Sequence, residues 1–491
     1  MIDPSLIPSM AGGPSVTGQM DLNSVAELRK ALTADYGTDV ATLTGGSALR
    51  IQSLEKTMLA TIQENKHFRL FNALQKTNAG ATIDEWTEQF GVGGFLGGSV
   101  NSETGTIASA QGSYARRTGS VKYLMTRREV SLVVTLQNAL AEAEAVEQQA
   151  GALQLLTDAA FLCFEGDSSV VATEFDGIYA QIAAGVAAGQ VGSDHIVDAG
   201  ATSLASINAL NDAAKVIAGY GNYGTPTDIF MPLSVQADFD SGLDPAFRVA
   251  LDNAPNSIML GTPVRGIRTS HGDIATNPNV FLRDPDHLAS IPFEVNFSAL
   301  ATANASLAPA SVTVDASVSD ASSTFTSARA GNYYYLVTGL NQSGQSTGVV
   351  TSVVAIAAGK KAVLTITKSA GGAETGYAIY RSRLNGTNAA SDMRLITRIA
   401  RNTGGNTTTY TDNNSLIPGC AKAYVLNLLP SAMAITWRQL LPMLKFPLYP
   451  TVSATIPWAQ LMFGYLRIGK RRHHSIIKNI LPNGAQWRPF N

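Results

Sequence analysis

Cysteine is nearly missing from this chain: Cys163 and Cys420 are the two thiols in 491 residues, and neither lies in a Cys-x-x-Cys or Cys/His ligand spacing. That excludes a disulfide framework and the common structural zinc sites, and it suits a reducing compartment. Charge is scarce as well, at 15% of residues, against about a quarter in an ordinary soluble domain. No apolar run reaches the roughly 18 residues that a membrane-spanning helix needs, which argues against an integral membrane protein. The opening Met1-Ile2-Asp3-Pro4 is not a basic segment followed by an apolar stretch, so it does not read as a secretory signal, and export by that route is not expected.

What is present points toward contact. A 45% hydrophobic composition excludes a disordered chain. The length exceeds what one core usually holds, so two or three structural units are expected. Few charges combined with 44 glycines leave little of the charged surface that keeps a monomer separate, and much of the surface reads as interface. The formal charge of -2 hides an asymmetry. Asp412 is the last acidic residue, and the 79 residues after it carry nine Lys or Arg; the first 412 hold 37 acidic and 26 basic side chains. The two parts attract each other, within or between subunits.

Changes of texture divide the chain. Residues 1–45 are polar and Gly-rich apart from an amphipathic helix candidate at 22–36, and a second candidate covers 47–74 on Ile51, Leu54, Met58 and Ile62, ahead of Phe68 and Phe71. Residues 90–134 pass from Gly-rich turns to Ser/Thr-rich segments that end in Val121-Lys122-Tyr123-Leu124-Met125-Thr126. They predict a two-armed β-hairpin; arms of about 15 to 20 residues at roughly 3.3 Å each would reach about 50 to 65 Å. An isolated hairpin is marginal in water, which places this one on a neighbouring subunit. Residues 137–162 give the strongest helical pattern, with Leu140, Val146, Ala150, Leu153, Leu156 and Ala160 on one side and Glu142, Glu144 and Glu147 on another. The helix should be close to 40 Å long, with Gly151 as a bend point.

Mixed α/β sequence follows to about residue 297, with a helix candidate at 203–219 and a strand at Asp228–Met231 stopped by Pro232. Between 301 and 420 the texture shifts again: 31 of 120 residues are Ser or Thr. Strand candidates at 333–338, 349–356, 362–367, 377–381, 393–399 and 407–411 predict a separate antiparallel sandwich. From Ala423 the chain returns to long apolar strands punctuated by Pro442, Pro447, Pro450 and Pro457, which complete the domain that the sandwich interrupts.

Motifs for chemistry are weak. Gly344-Gln345-Ser346-Thr347-Gly348 matches a nucleophile elbow, but that motif needs a helix after the Ser and here a strand follows; a polar turn is the reading. The glycines from 91 to 98 have Leu96 in place of the third Gly of a dinucleotide loop, and no G-K-[ST] occurs, so they read as flexible turns. Asp284-Pro285-Asp286-His287 and Ser270-His271-Gly272-Asp273 gather metal-capable groups, yet they read as solvated turns. Neither a cofactor nor a metal is expected. Lys470, Arg471 and Arg472, with Arg116, Arg117, Lys122, Arg127 and Arg128 in the hairpin, are candidates for intersubunit pairing with acidic surface or for contact with nucleic-acid phosphates.

The order of elements resembles the major capsid proteins of tailed double-stranded DNA bacteriophages, with the Hong Kong 97-type fold. The likeness rests on the hairpin region 104–134, the helix at 138–164, the segment Glu165-Gly166-Asp167-Ser168 with Phe175-Asp176-Gly177-Ile178-Tyr179, Lys445-Phe446-Pro447-Leu448 and the strand-rich tail. It implies an α+β fold: N-terminal arm and helix over 1–75, extended hairpin loop over 76–135, peripheral domain with spine helix over 136–215, and an axial domain over 216–299. Residues 423–491 would complete the axial and peripheral domains. The stretch 300–422 resembles a fibronectin type III or immunoglobulin-like domain, through Gly331-Asn332-Tyr333-Tyr334-Tyr335-Leu336-Val337-Thr338 and Gly376-Tyr377-Ala378-Ile379-Tyr380-Arg381-Ser382. As an insertion it is expected to project from the shell without being part of the lattice.

The resemblance further implies a non-enzymatic subunit that self-assembles as hexamers and pentamers of an icosahedral shell around packaged DNA. It would sit in the virion after assembly in the host cytoplasm, with portal, scaffolding and cement proteins as partners and no membrane. With only about 75 to 90 residues ahead of the hairpin, scaffolding is expected from another protein. The alternatives are a bacterial nanocompartment shell protein and a secreted adhesin or carbohydrate-binding protein with a fibronectin-like module.

Overall fold

The computed structural model of the chain describes residues 64–136, 143–204, 208–242, 265–284, 305–448 and 453–490. The helix candidate at 22–36 and most of the one at 47–74 lie outside these residues; of the latter, Arg69–Ala73 is helical and buries Leu70 and Phe71.

The helix Ala143–Glu165 is the spine of the body. Leu155, Ala159, Ala160, Cys163 and Phe164 recur at helical spacing and are buried. Its 23 residues span about 34 Å at about 1.5 Å per residue, and the predicted start at 137–142 lies outside the described residues. The helix runs through Gly151 without a break. The Gln460 side chain packs close against it, so that a Cβ would stand 2.1 Å from Gln460 Oε1.

Against the helix lies a four-stranded sheet in the order Gln75–Asn78, Ile435–Pro447, Thr455–Ile468, Lys122–Ser131. The first pair is parallel and the other two are antiparallel. Pro442 and Pro447 fall within one long strand and Pro457 within its partner. Register shifts between Gln439 and Leu444 accommodate the irregular stretch, and the long strands expected after Ala423 run through their prolines.

The predicted hairpin is shorter than its sequence pattern suggested. Its arms are Ile83–Gly91 and Ser113–Ser120, joined by the long tip 92–112. Residues 122–131, expected in the second arm, instead pair with Thr455–Gly464. Val121 and Val130 are buried there. That pairing joins residues more than 300 apart in sequence, and it outcompetes continuation of a two-stranded ribbon with no core of its own.

A second sheet has six strands in the order Ile196–Thr202, Ser475–Ile480, Ala421–Leu426, Asp228–Met231, Gly272–Pro278, Gly266–Thr269. Helices Asn208–Ala218 and Leu233–Gly242 share its core through Leu210, Ala214, Ile217, Val235 and Phe239. Helix 233–242 and the strands at 196–202, 266–269 and 272–278 were not apparent in the sequence. Asp284 accepts from the Ser234 backbone N–H at 2.9 Å and from its hydroxyl, while Asp273 pairs with Arg268 at 3.0 Å. Both carboxylates thus serve local structure, and the described residues hold no cluster of three metal-ligating groups.

Between residues 311 and 412 three antiparallel sheets, of two, five and three strands, enclose one core of Tyr333, Tyr335, Val337, Leu364, Ile366 and Tyr377. Ala362–Thr367 matches the expected strand, and the expected 349–356 strand is split into Val349–Val350 and Val354–Ile356. A buried pair, Arg381 to Asp412 at 2.6 Å, is completed by Tyr335 Oη at 2.8 Å and Asn414 at 2.6 Å. Ser346 lies in a hairpin, where its Oγ accepts from Gly339 N–H and donates to Thr347 O, both at 2.8 Å.

This region is bolted to the rest of the chain. Arg398 grips both oxygens of Glu174 at 2.9 Å. Thr375 donates to Val170 O at 2.7 Å, and Val170 and Val171 pack with Leu336, Leu340 and Tyr380. At the C-terminus, Leu384 N–H reaches Pro489 O at 2.8 Å and Arg394 lies over Trp487 at 5.1 Å.

Candidate assembly surfaces

The hairpin root is fixed by charge. Asp84 accepts from Arg438 at 2.7 and 3.0 Å and from Tyr465 at 2.6 Å, with Arg467 at 3.8 Å. Burial alone would raise the Asp84 carboxyl, but the hydrogen bonds from Arg438 and Tyr465 outweigh it and hold the group below the usual aspartate range. Glu88 lies 3.5 Å from Arg117 and accepts from Arg471 N–H at 3.2 Å. Arg472 donates to the carbonyls of Phe90 at 2.9 Å, Gln190 at 2.8 Å and Gly221 at 3.2 Å.

The eight basic candidates therefore divide. Arg117, Arg471 and Arg472 tie the hairpin root to the body. Arg128 binds Glu147 at 3.3 Å and Gln154 at 2.6 Å on the spine helix, and Lys122 donates to Ala172 O at 2.5 Å. Arg116, paired with Glu85, and Arg127, paired with Glu129 at 2.8 Å, are exposed, as is Lys470. Charge complementarity of the tail is spent largely inside the chain. Lys422 meets Glu165 at 3.1 Å, Lys478 meets Asp198 at 3.4 Å, and Lys445 meets Glu144. Burial pushes the Glu165 carboxyl up, yet Lys422, Arg283 and Arg398 together overcome it and bring the group down to about 2.

Three imidazoles are buried or half-buried behind the basic turn. His195 Nδ1 is 2.8 Å from His474 O, and its Nε2 is 3.1 Å from the Asn222 amide. Asn427 N–H donates to His474 Nδ1 at 3.3 Å. Burial lowers all three, His473 to about 4 and His474 to about 3, so they are neutral at pH 7.

The surfaces that sequence reasoning passed over are apolar. Val92, Phe95, Leu96, Val100 and Ile107 on the hairpin tip are 79–86% exposed. Leu444, Phe446, Ile456 and Leu136 form further exposed apolar positions on the long strands and the short helix Leu132–Leu136. The signal was present as large apolar residues set among glycines, which a reading of that stretch as a solvated turn does not explain.

No protein-family model matches the chain. It is 25% identical over 496 residues to a major capsid protein of Enterococcus phage phiEF24C, covering 94% of this chain and 96% of that one. It is 23% identical over 461 residues to the major capsid protein of Staphylococcus phage K, covering 92% and 94% respectively. The function these relatives support is that of a viral major capsid subunit. They favour it over the nanocompartment and adhesin readings. Among solved structures, the chain aligns with the capsid of an empty GTA particle at a TM-score of 0.45 and 11% identity, over 91% of this chain and all of that one.

Proposed function

We propose that this chain is the major capsid subunit of a tailed bacteriophage, a non-enzymatic protein that assembles with copies of itself into an icosahedral shell around packaged double-stranded DNA. The observation that carries the proposal is likeness to two phage major capsid proteins along more than nine-tenths of the chain. The structure supports it physically. A hairpin that buries no core of its own ends in five exposed apolar side chains, and such a tip is stable in water only when covered.

In this reading the fold is of the Hong Kong 97 type. Residues 76–135 are its extended loop, 136–215 the peripheral domain, and 216–299 with 423–491 the axial domain and remaining strands. Residues 300–422 form an inserted fibronectin- or immunoglobulin-like domain. Arg116, Arg127 and Lys470 are the cations left on the surface for neighbouring subunits or DNA. Portal, scaffolding and cement proteins are the further partners.

Replacing the tip 92–112 with a short Gly/Ser turn tests the proposal. The variant should stay folded by circular dichroism and fail to form particles in a sedimentation gradient. Particle formation at the unsubstituted yield would contradict the role of the hairpin.

A further inference from the structure

The hairpin root carries more cation than its carboxylates can pair. Asp84 and Glu88 lie on the less exposed face of the arm Ile83–Gly91, and Arg117, Arg438, Arg467 and Arg471 gather around them. Arg438 takes both oxygens of Asp84, and Arg467 stands 3.8 Å from the same carboxylate. Glu88 lies 3.5 Å from Arg117 and accepts from the backbone N–H of Arg471. The Arg467 and Arg471 side chains are thus left beside other cations. Burial lowers both, and Arg438 beside the first and Arg117 beside the second lower them further. The Arg471 Nε–H and the Trp86 indole N–H are sheltered from solvent and have no acceptor among the described residues. Sheltered donors are costly to leave unpaired, and two of them at one place point to a group that accepts.

A cavity of about 340 Å³ opens against both donors. Trp86, Thr118 and Ser120 line it from the hairpin, and Lys122 and Arg471 line it from the body. Asp176 is the one carboxylate in the lining, and it already accepts from the Ser168 backbone N–H at 2.8 Å. We propose that this cavity binds an oxyanion of the phosphate type, held by Arg471 and Lys122 with the hydroxyls of Thr118 and Ser120, and that the bound ion clamps the hairpin root to the body. Guanidinium, ammonium and indole offer donors alone, so the ligand they suit is one that only accepts. Phosphate presents charged oxygens in several directions, which matches donors arriving from separate elements, and its hydrogen bonds to such cations are the strong kind. A free phosphate ion and the phosphodiester of a nucleic acid share this chemistry. The site goes beyond the shell-subunit reading and does not depend on it.

Phosphate binding to the purified full-length chain tests the proposal, with chloride at equal ionic strength as the reference. Phosphate about tenfold above its dissociation constant should raise the thermal midpoint by about 2 to 4 °C. It should also slow hydrogen exchange across residues 83–91. Arg471→Gln removes no side-chain hydrogen bond of the fold, so the subunit should stay folded; its phosphate affinity in equilibrium dialysis should fall by about tenfold or more. Lys122→Met should weaken binding from the other donor. Lys215→Gln, at an exposed cation on the helix Asn208–Ala218, should leave binding unchanged. A midpoint that phosphate moves no more than chloride does, or an equal rise in Arg471→Gln, would overturn the proposal. An equal loss of binding in Lys215→Gln would overturn it too, by showing attraction to cations in general. A short single-stranded oligodeoxynucleotide separates the two sources. Displacement of bound phosphate by the oligonucleotide supports a phosphodiester at the site, and phosphate that stays bound supports the free ion. Particle formation plays no part in the test, so its failure leaves the shell reading standing.

Discussion

Single residues here act mainly by keeping buried charge and buried imidazole in order. His474 is fully buried and its imidazole is lowered to about 3. An unfolded histidine titrates near 6.5, so between those values the unfolded chain binds more protons and stability rises with pH. The contribution is complete above about pH 6.5 and falls by about 1.4 kcal/mol per pH unit below it. His473, with Lys470 beside it, adds to the same trend down to about 4. Urea midpoints of the subunit should fall steeply from pH 6.5 to pH 4.5, and His474→Gln should flatten that slope. Arg398→Met tests a different bond: it strands Glu174, which is about four-fifths covered, and should cost about 1 to 3 kcal/mol. The loss would appear as a lower thermal midpoint. The partners Asn427 of His474 and Glu174 of Arg398 were not legible in the sequence, because each joins residues far apart in the chain. The run Lys470-Arg471-Arg472 announced a basic patch, and the fold turned Arg471 and Arg472 inward.

Elements were legible where their pattern was local. The spine helix followed from its apolar spacing and Asp228–Met231 from its apolar run. The hairpin was found but mismeasured, since nothing near residues 122–131 reveals that their partner strand begins at Thr455. The long strands crossed by Pro442 and Pro457 were legible from their apolar runs, but their partners were not. Two glycines separate propensity from packing. A Cβ at Gly119 would stand 2.3 Å from the Tyr465 ring, so Gly119→Ala should loosen the hairpin root and speed hydrogen exchange across residues 83–91. Gly151→Ala would ordinarily stabilise a helix by about 1 kcal/mol. The Gln460 side chain occupies that space, so the gain should be absent in a thermal scan; a full gain would show that Gln460 moves aside freely.

For the whole molecule, the sparse charge noted at the outset has acquired an address. Opposite charges that could join subunits are largely paired within one chain, while among the described residues the hairpin tip and the ends of the long strands carry exposed apolar side chains. Exposed ion pairs contribute about 0 to 1 kcal/mol each, so particle yield should depend weakly on salt and strongly on the tip. The region 301–420 holds both the end of the spine helix and the C-terminal tail, and deleting it should lower the yield of folded subunit as well as of particles. Electron microscopy of the purified full-length protein tests the central claim most directly. Closed icosahedral shells are the expected result, and monodisperse monomers at every concentration would contradict it.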